Sequence, residues 1–227
     1  MSISIVENCD NMEFMGRYPD GFFDLAIVDP PYGINISNEL HKRGETCKKN
    51  GYRKYANKDW DNAVPDGEYF NELFRVSKSQ IIWGGNYFLE YLKSTRCFII
   101  WDKGQRDFSF ADAELAWTSF DKSVRCFDYS RGKMQSESYG KFHPTQKPIA
   151  LYSWILKNYG EGYKSILDTH LGSGSSRIAA YDLGFDFYGC ELDKDYYEAQ
   201  EKRFAKHISQ TKLFTPIQHI SKQTTLL

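Results

Sequence analysis

The chain has no excess of charge of one sign and no cysteine framework. Its 29 Lys and Arg stand against 30 Asp and Glu, for a formal net charge of −1. No overall field therefore draws it to nucleic acid or to a membrane surface. The five cysteines are odd in number and contain no CxxC pair, which argues against a disulfide framework and a zinc site. This usage is typical of a reduced, intracellular protein.

Long apolar runs are also missing. No run approaches the roughly 20 residues that a membrane-spanning helix needs. The first ten residues, MSISIVENCD, do not combine a basic segment with an apolar one, so no signal peptide is predicted. We therefore expect a cytoplasmic protein with no membrane partner. What the chain does have is 16% aromatic residues, which either fill a bulky core or stack on a flat ligand.

One local stretch departs from the balanced charge. Residues 41–55, HKRGETCKKNGYRKY, hold six Lys and Arg against the single acidic residue Glu45. Such a stretch is either a solvated loop or a patch that meets a polyanion, and the interleaved Tyr52 and Tyr55 suit the second interpretation.

Strand-like and helix-like segments alternate along the chain. The predicted strands are SISIVEN, FDLAIVD, QIIWGG, CFIIWDK, ELAWTSF, SVRCFDY, SILDTH and FDFYGCEL. The predicted helices are EYFNELFRVSK, NYFLEYLKS, KPIALYSWILKNY, SSRIAAYDLG and DYYEAQEKRFAKHI. This alternation predicts an α/β fold, a mostly parallel sheet with helices on both faces. We expect one domain over residues 1–208 and a loosely structured tail over residues 209–227.

A glycine-containing turn joins a predicted strand to a helix in ILDTHLGSGSSRIAA, residues 166–180. Gly172 and Gly174 let the backbone approach a ligand closely at the start of a helix. Arg177 stands where a dinucleotide fingerprint has its third glycine, and no Gly-Lys-Ser/Thr ending of a phosphate loop follows. Glu191, at the end of the next predicted strand, is placed to bind ribose hydroxyls. With Asp168, these residues predict a nucleoside cofactor, although a purely structural turn would have the same two glycines.

The stretch AIVDPPYG ends a buried strand in a carboxylate, two prolines and an aromatic ring. Asp29 and the carbonyl of Pro30 could accept the two hydrogens of an amine conjugated with a base, which would free its lone pair. Two prolines fix both acceptors, and Tyr32 offers a face on which a base can stack. The alternative is a proline-rich strand exit with an Asp cap.

These motifs, with HPTQKP and GCE, resemble the amino-methylating DNA methyltransferases, S-adenosylmethionine enzymes that modify adenine N6 or cytosine N4. The catalytic motif precedes the cofactor loop, as in their beta class, a circular permutation of the fold. The resemblance covers about residues 3–207. It implies a Rossmann-like, circularly permuted methyltransferase fold in which the N-terminal strand lies beside the last one.

The resemblance also implies roles for individual residues. The catalytic motif is Asp29, Pro30, Pro31 and Tyr32. Asp10 matches a contact to the cofactor's adenine and Glu191 the ribose ligand. The matches to the methionine end are Thr145, Lys147, Asp168, Gly172 and Gly174, with His143 in the same block. His170 stands where the family usually has an aromatic residue, which leaves its role open.

The implied reaction is methylation of adenine N6 in double-stranded DNA after base flipping, without a metal. Adenine is favoured over cytosine N4 because Asp, not Ser, leads the motif. An RNA methyltransferase and an inactive nucleoside-binding module are the alternatives. Target-recognition insertions are expected at about residues 34–62 and 103–141, and a homodimer is possible. The resemblance places the protein in a bacterial or phage-infected cell, with a role in restriction–modification.

Overall fold

A computed structural model describes residues 2–35, 61–106, 111–130, 132–133 and 143–213 of the chain. The basic stretch 41–55 and most of the two predicted recognition insertions lie outside these residues. None of the helices in the described ranges is long and apolar enough to cross a membrane.

Eight strands form one sheet. They are β1 (Ser4–Glu7), β2 (Phe23–Val28), β3 (Ser77–Trp83), β4 (Phe98–Asp102), β5 (Ala113–Thr118), β6 (Arg125–Asp128), β7 (Ser165–Asp168) and β8 (Asp186–Cys190). Their order across the sheet is β1-β8-β7-β2-β3-β5-β4-β6. The first five in this order run parallel, and β5 is antiparallel to both of its neighbours. The predicted mostly parallel sheet is confirmed.

In the described ranges, five helices of five or more residues accompany the sheet. They are α1 (Asn11–Met15), α2 (Gly67–Val76), α3 (Ile149–Tyr159), α4 (Ser175–Asp182) and α5 (Lys194–Leu213). Helix α5 extends to Leu213, five residues into the stretch that the sequence assigned to a loose tail. Helix α1 was not predicted, although Asp10 followed by Glu13 is the pattern of a capped helix start.

The predicted helix NYFLEYLKS is wrong. A single 3₁₀ turn, Gly85–Tyr87, begins the segment, and Phe88 and Tyr91 donate i→i+3 bonds to Gly85 and Phe88. Phe88 is buried, while Tyr91 and Leu92 are partly buried. Two i→i+3 turns therefore orient these apolar side chains, and no helix is needed. A short helix is only marginally stable without a long packed face.

The central strand β2 is buried on both faces of the sheet. Leu25 and Ile27 belong to one apolar cluster, which includes residues of α3 and α4. Ala26 and Val28 belong to the other, which includes residues of α1 and α2. Successive side chains point to opposite faces, so this unbroken apolar run satisfies two cores at once. It also holds the end of β2 rigidly between its neighbours.

The N-terminal strand β1 lies at the edge of the sheet and pairs with β8, the last strand of the chain, with Ile5 opposite Tyr188. This is the arrangement that the circular permutation predicts. The five parallel strands therefore end at one edge of the sheet, where loops from both ends of the sequence meet.

Candidate active site

A cavity of about 840 Å³ opens at the carboxyl edge of the parallel strands. Loops after β1, β2, β7 and β8 contribute to its walls. The predicted site residues that line it are Asp10, Asp29, Pro31, His143, Thr145, Lys147, Gly172 and Glu191. The other four, Pro30, Tyr32, Asp168 and Gly174, do not line it, although each is next in the sequence to a residue that does. Residues that are far apart in the sequence thus face one space, of the size that small-molecule ligands occupy.

The Asp29 carboxylate projects from the end of β2 and is held on both oxygens. Its Oδ1 accepts a hydrogen bond of 2.6 Å from the Tyr32 hydroxyl, and its Oδ2 contacts the Lys147 ammonium. Burial raises the pKa of the Asp29 carboxyl even though the ammonium opposes this shift. The two prolines that follow restrict the backbone from which the carboxylate projects, while Tyr32 and Lys147 hold the carboxylate itself.

The partly buried ring of Tyr32 packs against the Gly84 backbone and the rings of Tyr87 and Phe88. A Cβ added at Gly84 would lie 2.2 Å from the Tyr32 ring, so only glycine fits there. The ring of Tyr87 stacks on Tyr32 with centroids 4.9 Å apart and planes 13° from parallel. The expected base-stacking residue is therefore already stacked on an aromatic ring, and Tyr87 itself is 46% exposed.

Asp61 is a residue that the sequence interpretation missed. Its carboxylate accepts the backbone N–H groups of Tyr32 and Gly33, at 2.8 and 3.1 Å. It therefore holds the turn that follows the two prolines. No local pattern around Asp61 distinguishes it from other loop aspartates.

Lys147 was expected to bind the carboxylate of a cofactor, but its buried ammonium contacts two carboxylates of the chain itself. One is Asp29, and the other is Glu114 on β5, at 3.1 Å. Glu114 also pairs with Lys103 at 2.6 Å. Glu114 was missed, although a carboxylate in the apolar strand ELAWTSF, on the same side as buried Ala116 and Thr118, was a usable signal.

The glycine turn after β7 has the backbone that its sequence predicts. Gly172 and Gly174 have φ values of 51° and 71°, which side chains rarely adopt. The Gly172 N–H donates to Glu191 Oε2 at 2.7 Å, so the expected ribose ligand also holds the turn. From behind, Arg203 of α5 donates to the Ser173 carbonyl at 2.8 Å.

Asp168 is buried at the end of β7, with its carboxylate pointing at the start of α4. It accepts from the Ser176 hydroxyl at 2.5 Å and from the His170 N–H at 3.1 Å. Burial raises its pKa to about 7, against the lowering effect of these two hydrogen bonds, and Asp29 and Glu191 add to the rise.

His170 links the glycine turn to helix α1. Its Nε2 lies 3.0 Å from Asn11 Nδ2, and its Nδ1 lies 3.0 Å from Thr169 Oγ1. The Tyr69 ring of α2 meets it edge-on, at 5.3 Å between centroids. Burial lowers the pKa of His170 to about 4, so the imidazole is neutral at neutral pH. An aromatic residue could fill this space but could not make these bonds.

The remaining predicted residues form the floor and rim of the cavity. His143 stacks edge-on against Tyr196, with centroids 4.3 Å apart, and its Nδ1 lies 3.2 Å from Thr145 Oγ1. Asp10 caps α1 by accepting the backbone N–H groups of Met12 and Glu13. Within the described part of the chain, no group of three His, Cys, Asp or Glu could hold a metal ion.

Comparison with known proteins adds independent information on this arrangement. A family model for N6/N4 methyltransferases, described as DNA methylase, matches residues 100–202. The chain is 23% identical to Type II methyltransferase M2.MboI of Moraxella bovis, over 87% of this chain and 85% of that protein. It is 25% identical to Type II methyltransferase M2.LlaDCHI of Lactococcus lactis subsp. cremoris, over 79% of this chain and 62% of that protein.

Solved structures share the fold. The M1.HpyAVI–SAM complex matches with a TM-score of 0.56 and 19% identity, over 88% of this chain and 98% of that one. The cytosine-N4-specific PvuII DNA methyltransferase matches with a TM-score of 0.59 and 12% identity, over 92% of each chain. These structural matches confirm the fold. The family model and the sequence relatives support the resemblance that the motifs indicated, to the amino-methylating DNA methyltransferases, which modify adenine N6 or cytosine N4.

Proposed function

We propose that the protein transfers the methyl group of S-adenosylmethionine to the exocyclic N6 amine of adenine in double-stranded DNA. The observation that carries this proposal is the position of Asp29. Its rigid carboxylate opens into the same 840 Å³ cavity as Asp10 and Glu191, which come from opposite ends of the sequence. An amine acceptor and a nucleoside site thus share one space.

The cavity suits S-adenosylmethionine in size and chemistry. Glu191, behind the glycine turn, provides oxygens of the kind that bind ribose hydroxyls. Side chains are disfavoured at both glycines of the turn by the positive φ values of 51° and 71°, and a Cβ on Gly174 would also lie 3.1 Å from Gln200. The cofactor supplies a methyl group activated by a positively charged sulfonium. The negative charge of Asp168, behind the turn, suits the ammonium of a methionine moiety.

The chain's own contribution to the reaction is to hold and polarise the amine. Asp29 and the Pro30 carbonyl accept its two hydrogens, so that the nitrogen becomes pyramidal and its lone pair is available. Because neighbouring residues hold the carboxylate, little reorganisation is needed when the amine arrives. The target base lies inside a duplex, and flipping it out costs on the order of a few kcal/mol. Stacking of the base on Tyr32 would then require the Tyr87 ring to move.

Adenine is preferred over cytosine because Asp leads the catalytic motif. The family model covers both N6 and N4 methylation, and one of the matching structures is a cytosine-N4-specific enzyme, so the product must be identified directly. Duplex DNA would be incubated with the protein and labelled S-adenosylmethionine, digested to nucleosides and analysed. We expect N6-methyladenine, whereas N4-methylcytosine would overturn the assignment of the base. RNA and free adenine, as parallel substrates, test the choice of polymer.

The duplex itself is expected to be met by the basic stretch 41–55, through phosphate contacts that give affinity without sequence information. The Type II names of the two relatives favour a role in restriction–modification. The comparisons give no support to the predicted homodimer.

The Asp29→Ala substitution tests the mechanism. We expect it to reduce methyl transfer by at least about a thousandfold, since it removes the acceptor that the reaction requires. Cofactor binding, measured by calorimetry, should largely survive. Asp121→Ala is the matched control, because Asp121 is an exposed aspartate that pairs only with the exposed Arg96 among the described residues. Transfer by the Asp29→Ala protein at the rate of this control would refute the assignment.

A further inference from the structure

Four charged side chains form a line that leads from β5 to Asp29. Lys103 Nζ lies 2.6 Å from Glu114 Oε1, and the other oxygen of Glu114 lies 3.1 Å from Lys147 Nζ. Lys147 in turn contacts Asp29. All four side chains are at most 22% exposed. The signs alternate along the line, so each charge is balanced by its neighbours.

Lys147 is the critical member of this line because it has two carboxylates to choose between. If it paired with Asp29 alone, its ammonium would occupy an acceptor oxygen that the target amine needs. Glu114 offers the ammonium a second carboxylate, so that Lys147 is shared between Glu114 and Asp29, with Asp29 the closer of the two. Lys147 is also fixed by two rings, Trp83 and Tyr32, whose centroids lie 5.1 and 5.9 Å from Nζ.

We propose that Glu114 is a positioning residue, which shares the Lys147 ammonium and so leaves Asp29 able to accept a hydrogen bond from the target amine. Lys103 adjusts this effect, because it neutralises part of the Glu114 charge. The inference rests on the proposed function, in which Asp29 is the amine acceptor.

The direction of the pKa shifts agrees with this arrangement. Burial would raise the pKa of Glu114, but Lys147 and Lys103 lower it to about 2, so Glu114 stays ionised. The pKa of Asp29 is raised by burial and further by Glu114, and lowered by Lys147 and by the Tyr32 hydroxyl. The other titratable groups that interact with Asp29 are Tyr152 on α3, Tyr69 on α2 and Asp168 on β7.

These signs give opposite expectations for two neutralising substitutions. A protonated Asp29 is a much weaker acceptor of the amine's hydrogen than the carboxylate, so turnover declines as the pH falls through the Asp29 pKa. Glu114→Gln removes a negative charge and releases Lys147 to Asp29, which moves this acid limb to lower pH. Lys103→Gln strengthens the pull of Glu114 on Lys147, which moves the limb to higher pH. A mere loosening of the cluster would move both in the same direction.

The experiment measures kcat against pH for the wild type, Glu114→Gln, Lys103→Gln and Glu114→Asp, with duplex DNA and S-adenosylmethionine. We expect Glu114→Gln to lower the plateau kcat roughly tenfold, because the ammonium then competes with the amine. Glu114→Asp should recover part of this loss. Affinity for S-adenosylmethionine, from calorimetry, should stay within about twofold of the wild type, since the effect falls on Asp29.

The inference is overturned if the acid limb moves in the same direction in both Gln variants, or if Glu114→Gln keeps the wild-type plateau. If Glu114→Gln does not fold, the shift in Lys103→Gln and the activity of Glu114→Asp decide. A wild-type protein without methyl transfer to DNA would refute the proposed function instead, and this separates the two failures.

Discussion

Asp29 accepts a hydrogen bond from Tyr32 and contacts Lys147, so both of its oxygens are engaged by the chain itself. A target amine must therefore share or replace one of these contacts. Replacement is possible because the Tyr32 hydroxyl can turn its hydrogen away and because Glu114 offers the ammonium a second carboxylate. At the scale of single residues, the hydrogen bond and the ion pair that hold Asp29 in place must therefore be partly broken when the amine binds.

Asp168 should make cofactor binding depend on pH. Its pKa of about 7 means that its negative charge disappears as the pH falls from 8 to 6. An ammonium in the cavity, behind whose wall Asp168 lies, is then held less tightly. We expect the ratio of wild-type to Asp168→Asn affinity for S-adenosylmethionine to rise by up to roughly tenfold from pH 6 to pH 8. Calorimetry at several pH values measures this ratio.

The Asp168→Asn protein is needed because the amino group of the cofactor loses its own proton in the same range. His170, whose pKa is lowered to about 4, does not change charge between pH 6 and 8 and leaves the comparison clean. If the affinity ratio did not change between pH 6 and pH 8, the charge of the Asp168 carboxyl would have no effect on cofactor binding in the cavity.

The residue types at the site could be predicted from the sequence, but their partners could not. The sequence predicts Asp29, Gly172 and Glu191 as site residues, because each ends or follows a predicted strand in a specific local pattern. The Glu114–Lys147 pair joins two segments that no local pattern connects. The stacking of Tyr87 on Tyr32 was likewise hidden, since Tyr87 was assigned to a helix that is not formed.

Among the secondary-structure elements, α4 and α5 are joined by a buried polar contact behind the glycine turn. Arg177 donates to Gln200 at 3.0 Å and to Glu201 at 2.5 Å, and its guanidinium lies 3.8 Å from the centroid of Phe204. Arg177 also donates to Ser4 on β1 at 3.0 Å. The residue that argued against a dinucleotide fingerprint thus ties two helices and the edge strand together.

Replacing Arg177 by Ala should lower the free energy of unfolding by about 2–4 kcal/mol, because buried hydrogen bonds and ring contact are lost together. Urea unfolding followed by circular dichroism measures the change. Lys202→Ala, an exposed substitution on α5, is the control and should stay within about 0.5 kcal/mol of the wild type. Equal stability of the two variants would show that the contact contributes nothing.

The elements themselves were largely predictable, because β2, β3 and β7 carry apolar runs that both faces of a parallel sheet require. The structure of the segment after β3 could not be predicted in this way. Phe88 and Tyr91 have the spacing of a helix, but their backbones form i→i+3 turns. Helix α5 runs past the predicted end of the domain because its sequence keeps helix-forming residues up to Leu213.

On the scale of the whole molecule, a second circular permutation could restore the order in which the glycine turn precedes the catalytic motif. Helix α5 has 20 residues, and it returns the chain from the carboxyl edge of the sheet towards the edge where β1 begins. A flexible linker of about 12 residues, which spans roughly 19 Å on average, would join Leu213 to Ser2. New ends at the exposed loop between Glu161 and Gly162 would then place the glycine turn first and Asp29 later.

We expect this recut chain to fold, because exposed loop tips tolerate new termini and every strand keeps its neighbours. Far-UV circular dichroism and S-adenosylmethionine binding should match the wild type. The same linker combined with new ends inside β7 is the control and should not fold. If the chain cut between Glu161 and Gly162 failed to fold, as the chain cut inside β7 should, the order of the segments in the sequence would matter for forming the sheet.

The pairing of β1 with β8 also has a consequence for the protein as it leaves the ribosome. Strand β1 is synthesised about 183 residues before β8, the strand with which it pairs. The cavity needs Asp10 from the beginning and Glu191 from near the end. We therefore expect a polypeptide whose translation stops before Glu191 to be inactive, because it lacks one wall of this cavity.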